Sequence, residues 1–455
     1  MAQAASTLPA ALPLPPGPRD WLHLRPTIEF ARDWMGYSER YARQYGDVVF
    51  FRFVNIPVCL VTHPDGIEYV LVKHPSNFLK SRDYRAFRPI LGNGLLISEG
   101  EFWQAQRKLI QPAFRHENIL AYAGIMLDSA AAMLAGWRDA QTRDVHADMM
   151  ALTLEVVAKC LFGSDVSGIA AEVGKALAPM MELFIHQAKI AFLLPESAPI
   201  PQTPRYFRSS KRMDKIVRGI IRERRASPRA ANDLLQTLLE AQDERGSRMT
   251  DEQLRDEIMT LFIAGHDTTA NALSWTWYLL AQHPAVEQQL AAEPRSVLQS
   301  RPPGVADLPR LPYTEMVLKE SMRLYPPAWG FGRRPIHDFE LNGYRIPAGT
   351  NIFISQWITQ RDPRWFPDPE RFDPERWRVD PVRTGRIPRF AYFPFGGGPR
   401  VCVGAGFAMM EATLLLAAIA QRYRFSLVPG HPVEALPSAT LRPKHGLKMV
   451  LHQRT

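Results

Sequence analysis

A single cysteine near the C-terminus lies in a context that suits a metal-bound thiolate. Cys402 follows three consecutive glycines, Gly396–Gly398, and precedes an apolar helical pattern that begins at Gly406. Glycines permit positive φ angles and a close approach of the backbone to a ligand. The N-terminus of a helix favours a thiolate over a thiol. A thiolate is a nucleophile or a metal ligand, and the motif contains no general base for the first role. A lone thiolate on a glycine-rich loop therefore suggests ligation of a haem iron. Ligation of haem by a thiolate favours O–O cleavage.

A polar segment lies in the middle of a long helical pattern. The pattern runs from Asp251 to Gln282, and Thr250 with Gln253 predicts a capping box at its start. The run 264–269 contains Gly, Asp and two Thr, which are poor helix formers. Because apolar residues surround the run, we expect it to be buried. A buried helix keeps such residues where a ligand lies against its backbone or where the helix is distorted. A polar patch on an exposed face is the alternative.

Two further helical patterns carry charged residues on apolar faces. Glu320 falls on the apolar stripe of the pattern 311–325, and Arg323 one turn later is suited to pair with it. Arg107 shares the face of Trp103, four residues before it. Arg107 is therefore expected either to reach solvent along the apolar surface or to face a buried anion.

Helical periodicity dominates the chain that must position these groups. Prolines before residue 20 indicate an extended arm, and Asp47–Thr62 is typical of two strands with a turn at Asn55–Pro57. The other predicted elements are helical segments within 102–282, a proline-rich break at 194–204, a basic helix at 208–225, short strands within 338–354, a proline-dense coil at 362–399, a last helix at 406–423 and a strand-like tail. We expect a single domain over 1–455, mainly α with a small β lobe.

The composition excludes several classes of protein. The 455 residues are 46% hydrophobic and 22% charged, too apolar for a disordered chain. Three widely spaced cysteines argue against a disulfide scaffold and a structural zinc site. Two of them, Cys59 and Cys160, are expected to be buried core residues. The net charge of +9 allows an acidic partner, but no basic cluster with interleaved aromatics predicts nucleic-acid binding.

The N-terminal segment does not resemble a targeting signal. It has no basic region, and prolines interrupt its apolar stretch, so no signal peptide is predicted. No run of about 18 uninterrupted apolar residues predicts a transmembrane helix. We expect a monomeric, cytoplasmic protein without a membrane anchor.

The motifs together resemble those of the cytochrome P-450 family, the haem-thiolate monooxygenases. The resemblance covers nearly the whole chain, and its most specific part is the haem-loop pattern Phe-x-x-Gly-x-Arg-x-Cys-x-Gly. Phe395, Gly398, Arg400, Cys402 and Gly404 match that pattern in full.

Other segments match the family in the same order along the chain. Glu320 and Arg323 match its Glu-x-x-Arg pair, and the segment 369–372 matches the one whose arginine, here Arg371, completes that ion network. The run 264–269 matches the oxygen-binding stretch. The resemblance assigns catalysis to Asp267 and Thr268, axial ligation of the iron to Cys402, and haem contact to Trp103, Arg107, Ala264, Arg333, Phe395, Gly398, Arg400 and Gly404.

The resemblance implies a triangular helical prism with a small β lobe, and haem b between the long central helix and the Cys402 loop. Asp267 and Thr268 would deliver protons to dioxygen, so that one oxygen atom enters an unactivated bond of the substrate. Electrons would come from a separate ferredoxin or flavodoxin with its reductase, because no flavin or nicotinamide module is present and no reductase is fused. The chain resembles the soluble bacterial members, which lack a membrane anchor.

The resemblance also implies an apolar, aromatic substrate pocket with a mobile entrance lid at Leu193–Pro204. The pocket residues expected from it are Phe87, Phe184, Phe262, Trp329 and Phe331. Such a lining suits a hydrophobic small molecule, such as a fatty acid, a terpenoid or a steroid.

Two other functions stay open. A haem-thiolate peroxygenase, isomerase or dehydratase would share Cys402 but often lacks the Asp267–Thr268 pair. A non-enzymatic haem sensor or nucleic-acid binder would need an added module, for which the family's core leaves no room at this length.

Overall fold

A computed structural model describes residues 12–18, 27–29, 32–53, 56–163, 167–194, 198–226, 233–299 and 301–454. Much of the expected N-terminal arm lies outside these residues, and so do Asn55 of the predicted turn and 195–197 of the predicted lid. The described residues are mainly helical with short strands, as the sequence predicts.

The helices are labelled in chain order. They are α1 (Trp34–Tyr45), α2 (Pro64–Glu68), α3 (Arg88–Leu91), α4 (Gly100–Ile110), α5 (His116–Leu120), α6 (Ala123–Ala135), α7 (Val145–Phe162), α8 (Ser167–Leu193), α9 (Pro204–Ala226), α10 (Leu234–Glu240), α11 (Asp251–Gln282), α12 (Pro284–Leu298), α13 (Pro312–Leu324), α14 (Gln356–Thr359) and α15 (Ala405–Arg422).

The strands form a five-stranded sheet and smaller sheets within the described part of the chain. They are β1 (Val48–Phe53), β2 (Ile56–Val61), β3 (Phe78–Lys80), β4 (Thr142–Asp144), β5 (Phe331–Pro335), β6 (Phe339–Leu341), β7 (Tyr344–Ile346), β8 (Asn351–Ile354), β9 (Tyr423–Leu427), β10 (Ala435–Pro437), β11 (Leu441–Pro443) and β12 (Lys448–Gln453).

Helix α11 is the central element of the helical part. The predicted capping box is formed: Thr250 Oγ1 accepts the main-chain N–H of Gln253, and Gln253 Oε1 accepts that of Thr250. The helix packs against α7, α9, α13 and α15. Because other helices cover it on several sides, most of its side chains are buried, including polar ones.

The polar run at 264–269 does not interrupt α11, so the distortion that the sequence suggests is not observed. Thr268 Oγ1 donates to the carbonyl oxygen of Ala264 at 2.7 Å. From α7, Thr153 Oγ1 donates to the carbonyl oxygen of His266 at 2.9 Å. Carbonyl oxygens of the α11 backbone therefore accept both hydroxyl groups, and α11 remains a continuous helix.

The five-stranded sheet has the order β1-β2-β8-β5-β3. Strands β1 and β2 are antiparallel, as predicted for Asp47–Thr62, whereas β2 and β8 are parallel. At the far edge β3 pairs with β5, and Lys80 lies directly opposite Arg333. Residues that are directly opposite share one face of the sheet, so two cationic side chains are neighbours there.

The hairpin of β10 and β11 lies against the middle of α11. Trp275 of α11 donates its indole N–H to the carbonyl oxygen of Leu441 at 2.8 Å. Trp329 donates its indole N–H to the carbonyl oxygen of Ser438 at 3.1 Å. These two bonds fix the loop 438–440 beside the polar run of α11.

One apolar stretch, His116–Ala135, is long and apolar enough to cross a membrane by length and composition alone. It divides into α5 and α6. Met126, Ala130 and Leu134 of α6 are buried in the main hydrophobic core. These contacts are those of a core helix.

Candidate active site around Cys402 and the central helix

The Cys402 loop is held by its backbone. The N–H of Cys402 donates to the carbonyl oxygen of Phe395 at 3.0 Å, which closes the loop. Gly396 and Gly398 have φ angles of 72° and 68°, where a side chain is strained. A Cβ on Gly398 would also lie 1.8 Å from the carbonyl oxygen of Leu71. Glycine is therefore required at 398 by both conformation and space, and helix α15 begins three residues after Cys402.

Cys402 differs from the other two cysteines in its accessibility. Cys59 and Cys160 have no exposed surface, as predicted, whereas Cys402 has an accessible side chain. Burial among protein atoms nevertheless raises the pKa of the Cys402 thiol, and the Gly404 N–H and the charge of Arg107 oppose that rise. An accessible group that is also surrounded by protein lies on the wall of an internal cavity. The donors around Cys402 favour the thiolate that a metal ion requires.

Helix α11 also has accessible surface in its buried middle. Ala264 is exposed and Thr268 is half-buried, although Ile263 and His266 beside them are buried. Ala264 and Thr268 are four residues apart and therefore share one helix face. This face leaves room for a ligand against the helix backbone, as the sequence predicts for the run 264–269.

The side chains of Asp267 and Thr268 have different hydrogen-bond partners. Its carboxylate is 1% exposed and accepts the hydroxyl hydrogen of Thr440, in the loop beside β11. Asn271 Nδ2 donates to Thr440 Oγ1 at 3.1 Å and to the Asp267 carbonyl oxygen at 2.7 Å. No salt bridge to Asp267 is found among the described residues. The sequence gives no sign of Thr440 as a partner, because the two residues are far apart in the chain and meet only through tertiary packing.

Helix α4 is fastened to the Cys402 loop by the two residues that the sequence singles out. Arg107 Nη1 donates to the carbonyl oxygen of Val401 at 2.7 Å. The guanidinium carbon of Arg400 lies 4.6 Å from the ring centroid of Trp103. Trp103 and Arg107 thus face the loop, and Arg107 does not extend to solvent as an unpaired surface residue.

A cluster of cations lies next to the loop. Arg400 pairs with Glu99, but its Nη1 is buried with no hydrogen-bond partner among the described residues. Arg333 is 8% exposed and contacts the ring of Phe331 at 4.8 Å. Lys80, opposite Arg333 on the sheet, was not identified from the sequence as a site residue.

Lys80 is strongly affected by this environment. Its Nζ donates to the carbonyl oxygens of Leu95 and Ser98 at 3.2 and 2.6 Å. Burial, together with the nearby charges of Arg400 and Arg333, lowers the pKa of Lys80 to about 7, although Glu99 and Glu257 act in the opposite direction. Strand β3 is too short to give a reliable sequence signal, so only the pairing with β5 reveals Lys80.

The residues fit the haem that the resemblance implies. Like charges placed directly opposite in a sheet are unfavourable unless an anion lies between or beside them. The orphaned Arg400 Nη1 is a buried donor that needs an acceptor. Two propionates would supply acceptors to Arg400, Arg333 and Lys80. An accessible Cys402 on a cavity wall would supply the single axial thiolate.

A buried ion network supports this side of the fold. Glu320 and Arg323 have no exposed surface and form two parallel hydrogen bonds of 2.8 Å each. Arg323 Nη1 also donates to the carbonyl oxygens of Gln360 and Pro369, at 3.0 and 2.7 Å. The predicted Glu-x-x-Arg pair is therefore formed and links α13 to the coil that follows α14.

The third arginine of the network is Arg376 and not Arg371. Arg376 Nε lies 3.3 Å from Glu320 Oε1, and the indole N–H of Trp377 donates to Glu320 Oε2 at 2.9 Å. Arg371 contributes only its carbonyl oxygen, which accepts from Arg323 Nη2 at 3.1 Å, and its side chain is exposed. The prediction for the Arg371 side chain is wrong because the tripeptide Pro-Glu-Arg occurs twice, and the second copy is the one that turns inward.

The predicted pocket aromatics divide into two groups. Phe87 and Phe184 contact each other with ring centroids 4.2 Å apart and an angle of 30° between the rings, and they pack with Ala188 and Ala439 in one apolar cluster. Ala439 precedes Thr440, the partner of Asp267, so the cluster adjoins the catalytic candidates. Half-buried Phe331 lies beside Arg333.

Phe262 and Trp329 are core residues and not part of a cavity wall. Phe262 has no exposed surface and packs on Phe162 of α7 at 5.7 Å. Trp329 is 3% exposed and lies edge-on to Trp34 at 4.2 Å. Their assignment to the pocket is wrong because protein encloses both side chains and leaves them almost no accessible surface.

Known proteins match the chain along most of its length. The sequence model of the family described as cytochrome P-450 matches residues 15–450. Cyclooctatin synthase of Streptomyces melanosporofaciens is 39% identical over 400 residues, 87% of this chain and 87% of that protein. Cyclooctat-9-en-7-ol 5-monooxygenase of the same organism is 38% identical over 388 residues, 85% of this chain and 84% of that protein. The solved structure of retinoic acid-bound cyanobacterial CYP120A1 is similar with a TM-score of 0.87 at 29% identity, over 98% of this chain and 100% of that one.

Replacement of Arg376 tests the corrected network. We expect Arg376→Ala to lower the free energy of unfolding by about 1–3 kcal/mol, because the buried Glu320 carboxylate loses a charged donor. Arg371→Ala is the matched control and should leave stability nearly unchanged, because that side chain is exposed. Glu320→Ala should cost more, about 3–5 kcal/mol, since Arg323 stays buried without its carboxylate. Urea unfolding measures all three, and equal losses from Arg371→Ala and Arg376→Ala would contradict the assignment.

Proposed function

The chain belongs to the cytochrome P-450 family and is a haem-thiolate monooxygenase, and we propose that its substrate is a terpenoid. The monooxygenase inserts one oxygen atom from dioxygen into a hydrophobic small molecule. When bound, haem supplies the redox chemistry that cleaves dioxygen. The residues of this chain bind the haem, hold protons and enclose the substrate.

The observation that carries the substrate proposal is the apolar cluster beside the catalytic candidates. Phe87 and Phe184 pack beside small side chains that include Ala188, Ala191 and Ala439, so the cluster offers an apolar surface that carries no charge of its own. Such a surface suits a broad hydrocarbon skeleton. The relatives support the choice of class, because they oxidise terpenoids and the cyanobacterial structure holds retinoic acid, an isoprenoid.

A spectral binding screen on the purified protein tests the substrate class. The terpenoid probes are cyclooctat-9-en-7-ol and retinoic acid, and the comparison compounds are lauric acid and testosterone. We expect a terpenoid to shift the Soret band with a dissociation constant about tenfold lower than either comparison compound, which corresponds to about 1.4 kcal/mol. Tighter binding of lauric acid or testosterone would contradict the proposal.

The role proposed for Cys402 is axial ligation of the haem iron. Its side chain is accessible on a cavity wall, and the Gly404 N–H and Arg107 favour its thiolate. Cys402→Ala should abolish the strongly red-shifted Soret band of the reduced carbon-monoxide adduct. Cys160→Ala is the control and should keep that band, because Cys160 is fully buried in the core. Retention of the band by Cys402→Ala would overturn the assignment.

The role proposed for Lys80 is to bind a haem propionate together with Arg333 and Arg400. Below its pKa of about 7, Lys80 is charged and pairs with an anion directly. Above that pH it must first take up a proton, so its contribution to haem binding falls as the pH rises.

Haem transfer to apomyoglobin measures this contribution. Lys80→Met should speed haem loss, and the difference from the wild type should be larger at about pH 6 than at about pH 8.5. Lys444→Met is the matched control, because Lys444 is an exposed lysine that pairs with Glu434. A pH-independent difference would show that Lys80 acts only by packing.

The role proposed for Thr268 is to hold a proton at the cavity wall, supplied through Asp267. The Thr268 hydroxyl donates to the Ala264 carbonyl at 2.7 Å, which leaves its oxygen free to accept a further hydrogen bond. Asp267, buried against Thr440, is the adjacent group that can exchange a proton.

Replacement of Thr268 should separate reductant use from product formation. We expect Thr268→Ala to bind haem and substrate normally but to release hydrogen peroxide in place of product, whereas Asp267→Asn should slow turnover overall. Thr276→Ala is the matched control, because Thr276 Oγ1 makes the same 2.7 Å bond to the carbonyl four residues earlier. Product, reductant and peroxide are quantified together, and wild-type coupling in Thr268→Ala would remove the proton role.

The electron donor that we propose is an acidic ferredoxin or flavodoxin with its reductase, acting in the cytoplasm. Arg115 and Arg389 are exposed, and Arg115 follows Phe114, which is in contact range of Gly404 in the Cys402 loop. Lys108, the neighbouring cation, is already paired with Glu244 at 2.9 Å. The net charge of +9 favours an acidic partner, and the three free cysteines suit a reducing compartment.

A further inference from the structure

A stripe of buried polar side chains runs along one face of α11, starting at Asp267. Asn271 and Ser274 follow it at intervals of four and three residues, so the three side chains are neighbours on the helix surface. Asp267 is 1% exposed, and the other two have no exposed surface. A polar stripe inside a helix core is costly unless each group finds a partner.

The two ends of the stripe have different partners. At one end Thr440 donates to the Asp267 carboxylate. At the other end, Ser274 Oγ lies 3.2 Å from Nδ1 of His146, in the first turn of α7. Ser274 uses its own hydroxyl hydrogen on the carbonyl oxygen of Ala270 at 2.6 Å, so His146 Nδ1 is the donor of the pair.

One acceptor in the middle of the stripe is unsatisfied. Asn271 Oδ1 is buried with no hydrogen-bond partner among the described residues, although its Nδ2 is used twice. Buried acceptors of this kind are usually satisfied by an internal water. A water on Asn271 Oδ1 would lie in the stripe between Ser274 and the Asp267–Thr440 pair.

His146 connects the stripe to solvent. Its side chain is half-buried, whereas the stripe is fully enclosed. The charged groups that act on its ring come from three elements: Asp267 of α11, Asp144 at the N-cap of α7 and Arg442 of β11. Burial lowers the pKa of His146, the two carboxylates raise it, and Arg442 lowers it. The ring is therefore mainly neutral at neutral pH and can carry a proton transiently.

We propose that His146 and Ser274 form the solvent end of a proton route that recharges Asp267 during turnover. The inference rests on the proposed function, in which Asp267 supplies the protons. His146 accepts a proton from solvent at one ring nitrogen and releases one from Nδ1 to Ser274 Oγ. Ser274 passes its hydroxyl proton to the water on Asn271, and that water protonates the Asp267 carboxylate. Only N–H and O–H bonds change, and each proton that Asp267 gives up is replaced by one from solvent.

Reductant consumption and its solvent isotope effect test the route in the holoenzyme with a ferredoxin couple and cyclooctat-9-en-7-ol. Hydroxylated product, hydrogen peroxide and water all require protons for their formation, so the assay follows proton supply even where this probe is oxidised poorly, and superoxide release is quantified and subtracted. We expect His146→Gln and Ser274→Ala each to lower the rate by about 3- to 10-fold, less than the loss of a direct acid, and to increase the isotope effect. The double variant should be no slower than the slower single variant, because both residues serve one route.

The control is His452→Gln, which removes another histidine–serine hydrogen bond, comparable to that of His146 with Ser274. His452 Nε2 lies 2.8 Å from Ser426 Oγ on the β9–β12 sheet, and neither residue belongs to the polar stripe of α11. It should leave both the rate and the isotope effect unchanged. Ser274→Ala removes a single oxygen atom, so it keeps the test valid if His146→Gln folds poorly.

The outcomes distinguish this inference from the proposed function. A slow Asp267→Asn variant together with wild-type behaviour of both His146→Gln and Ser274→Ala would overturn the route and leave the role of Asp267 intact. A fast Asp267→Asn variant would overturn the role of Asp267 and the route with it. Histidine NMR of the reduced carbon-monoxide form gives a second measurement: Asp267→Asn should lower the pKa of His146, and an unchanged pKa would show that the two groups are not coupled.

Discussion

The buried pair of Glu320 and Arg323 fixes the position of the Cys402 loop, although neither residue touches it. Arg323 donates to the carbonyl oxygen of Gln360. The Gln360 side chain in turn donates to the carbonyl oxygen of Met322 at 2.9 Å and accepts the N–H of Phe393 at 3.1 Å. Phe393 begins the loop that carries Cys402. A continuous set of buried hydrogen bonds therefore connects α13 to Phe393, at the start of that loop.

This network contributes more to fixing the position of the coil after α14 than to the net stability of the protein. Taking two charges out of water costs several kcal/mol, and their attraction repays this only where further hydrogen bonds complete the site. Here the Glu320 carboxylate has four kinds of donor: Arg323, Arg376, the Trp377 indole and the N–H of Asp373. A hydrophobic replacement would fill the volume but would not define where the coil after α14 lies. That coil carries no regular secondary structure over most of its length, so its geometry depends on such side-chain bonds.

The sequence predicts the parts of the site that are encoded locally. The capping box, the Cys402 loop and the Glu320–Arg323 pair each lie within a few residues, and all are observed. The family resemblance and the fold are confirmed by the match over 15–450 and by the TM-score of 0.87. What depends on tertiary contact could not be predicted: Lys80 meets Arg333 only through strand pairing, and Thr440 meets Asp267 only through the hairpin. Arg371 and Arg376 lie in identical local patterns, and only packing distinguishes them.

The two ends of the site have opposite electrostatic character, and each suits a different task. Beside the Cys402 loop, Lys80, Arg333 and Arg400 lie close together among the carboxylates of Glu99, Asp83 and Glu257, and the buried Arg400 Nη1 still has no acceptor among the described residues. An anionic ligand such as a haem propionate would supply that acceptor and would stabilise the folded protein by mass action. On α11 the situation is reversed, because the Asp267 carboxylate is buried beside hydroxyl and amide groups and no cation pairs with it in the described part of the chain. The fold therefore concentrates cations beside the Cys402 loop, where a cofactor would be held, and leaves the Asp267 carboxylate without an ion pair in the described part of the chain, which suits the proton role proposed for it.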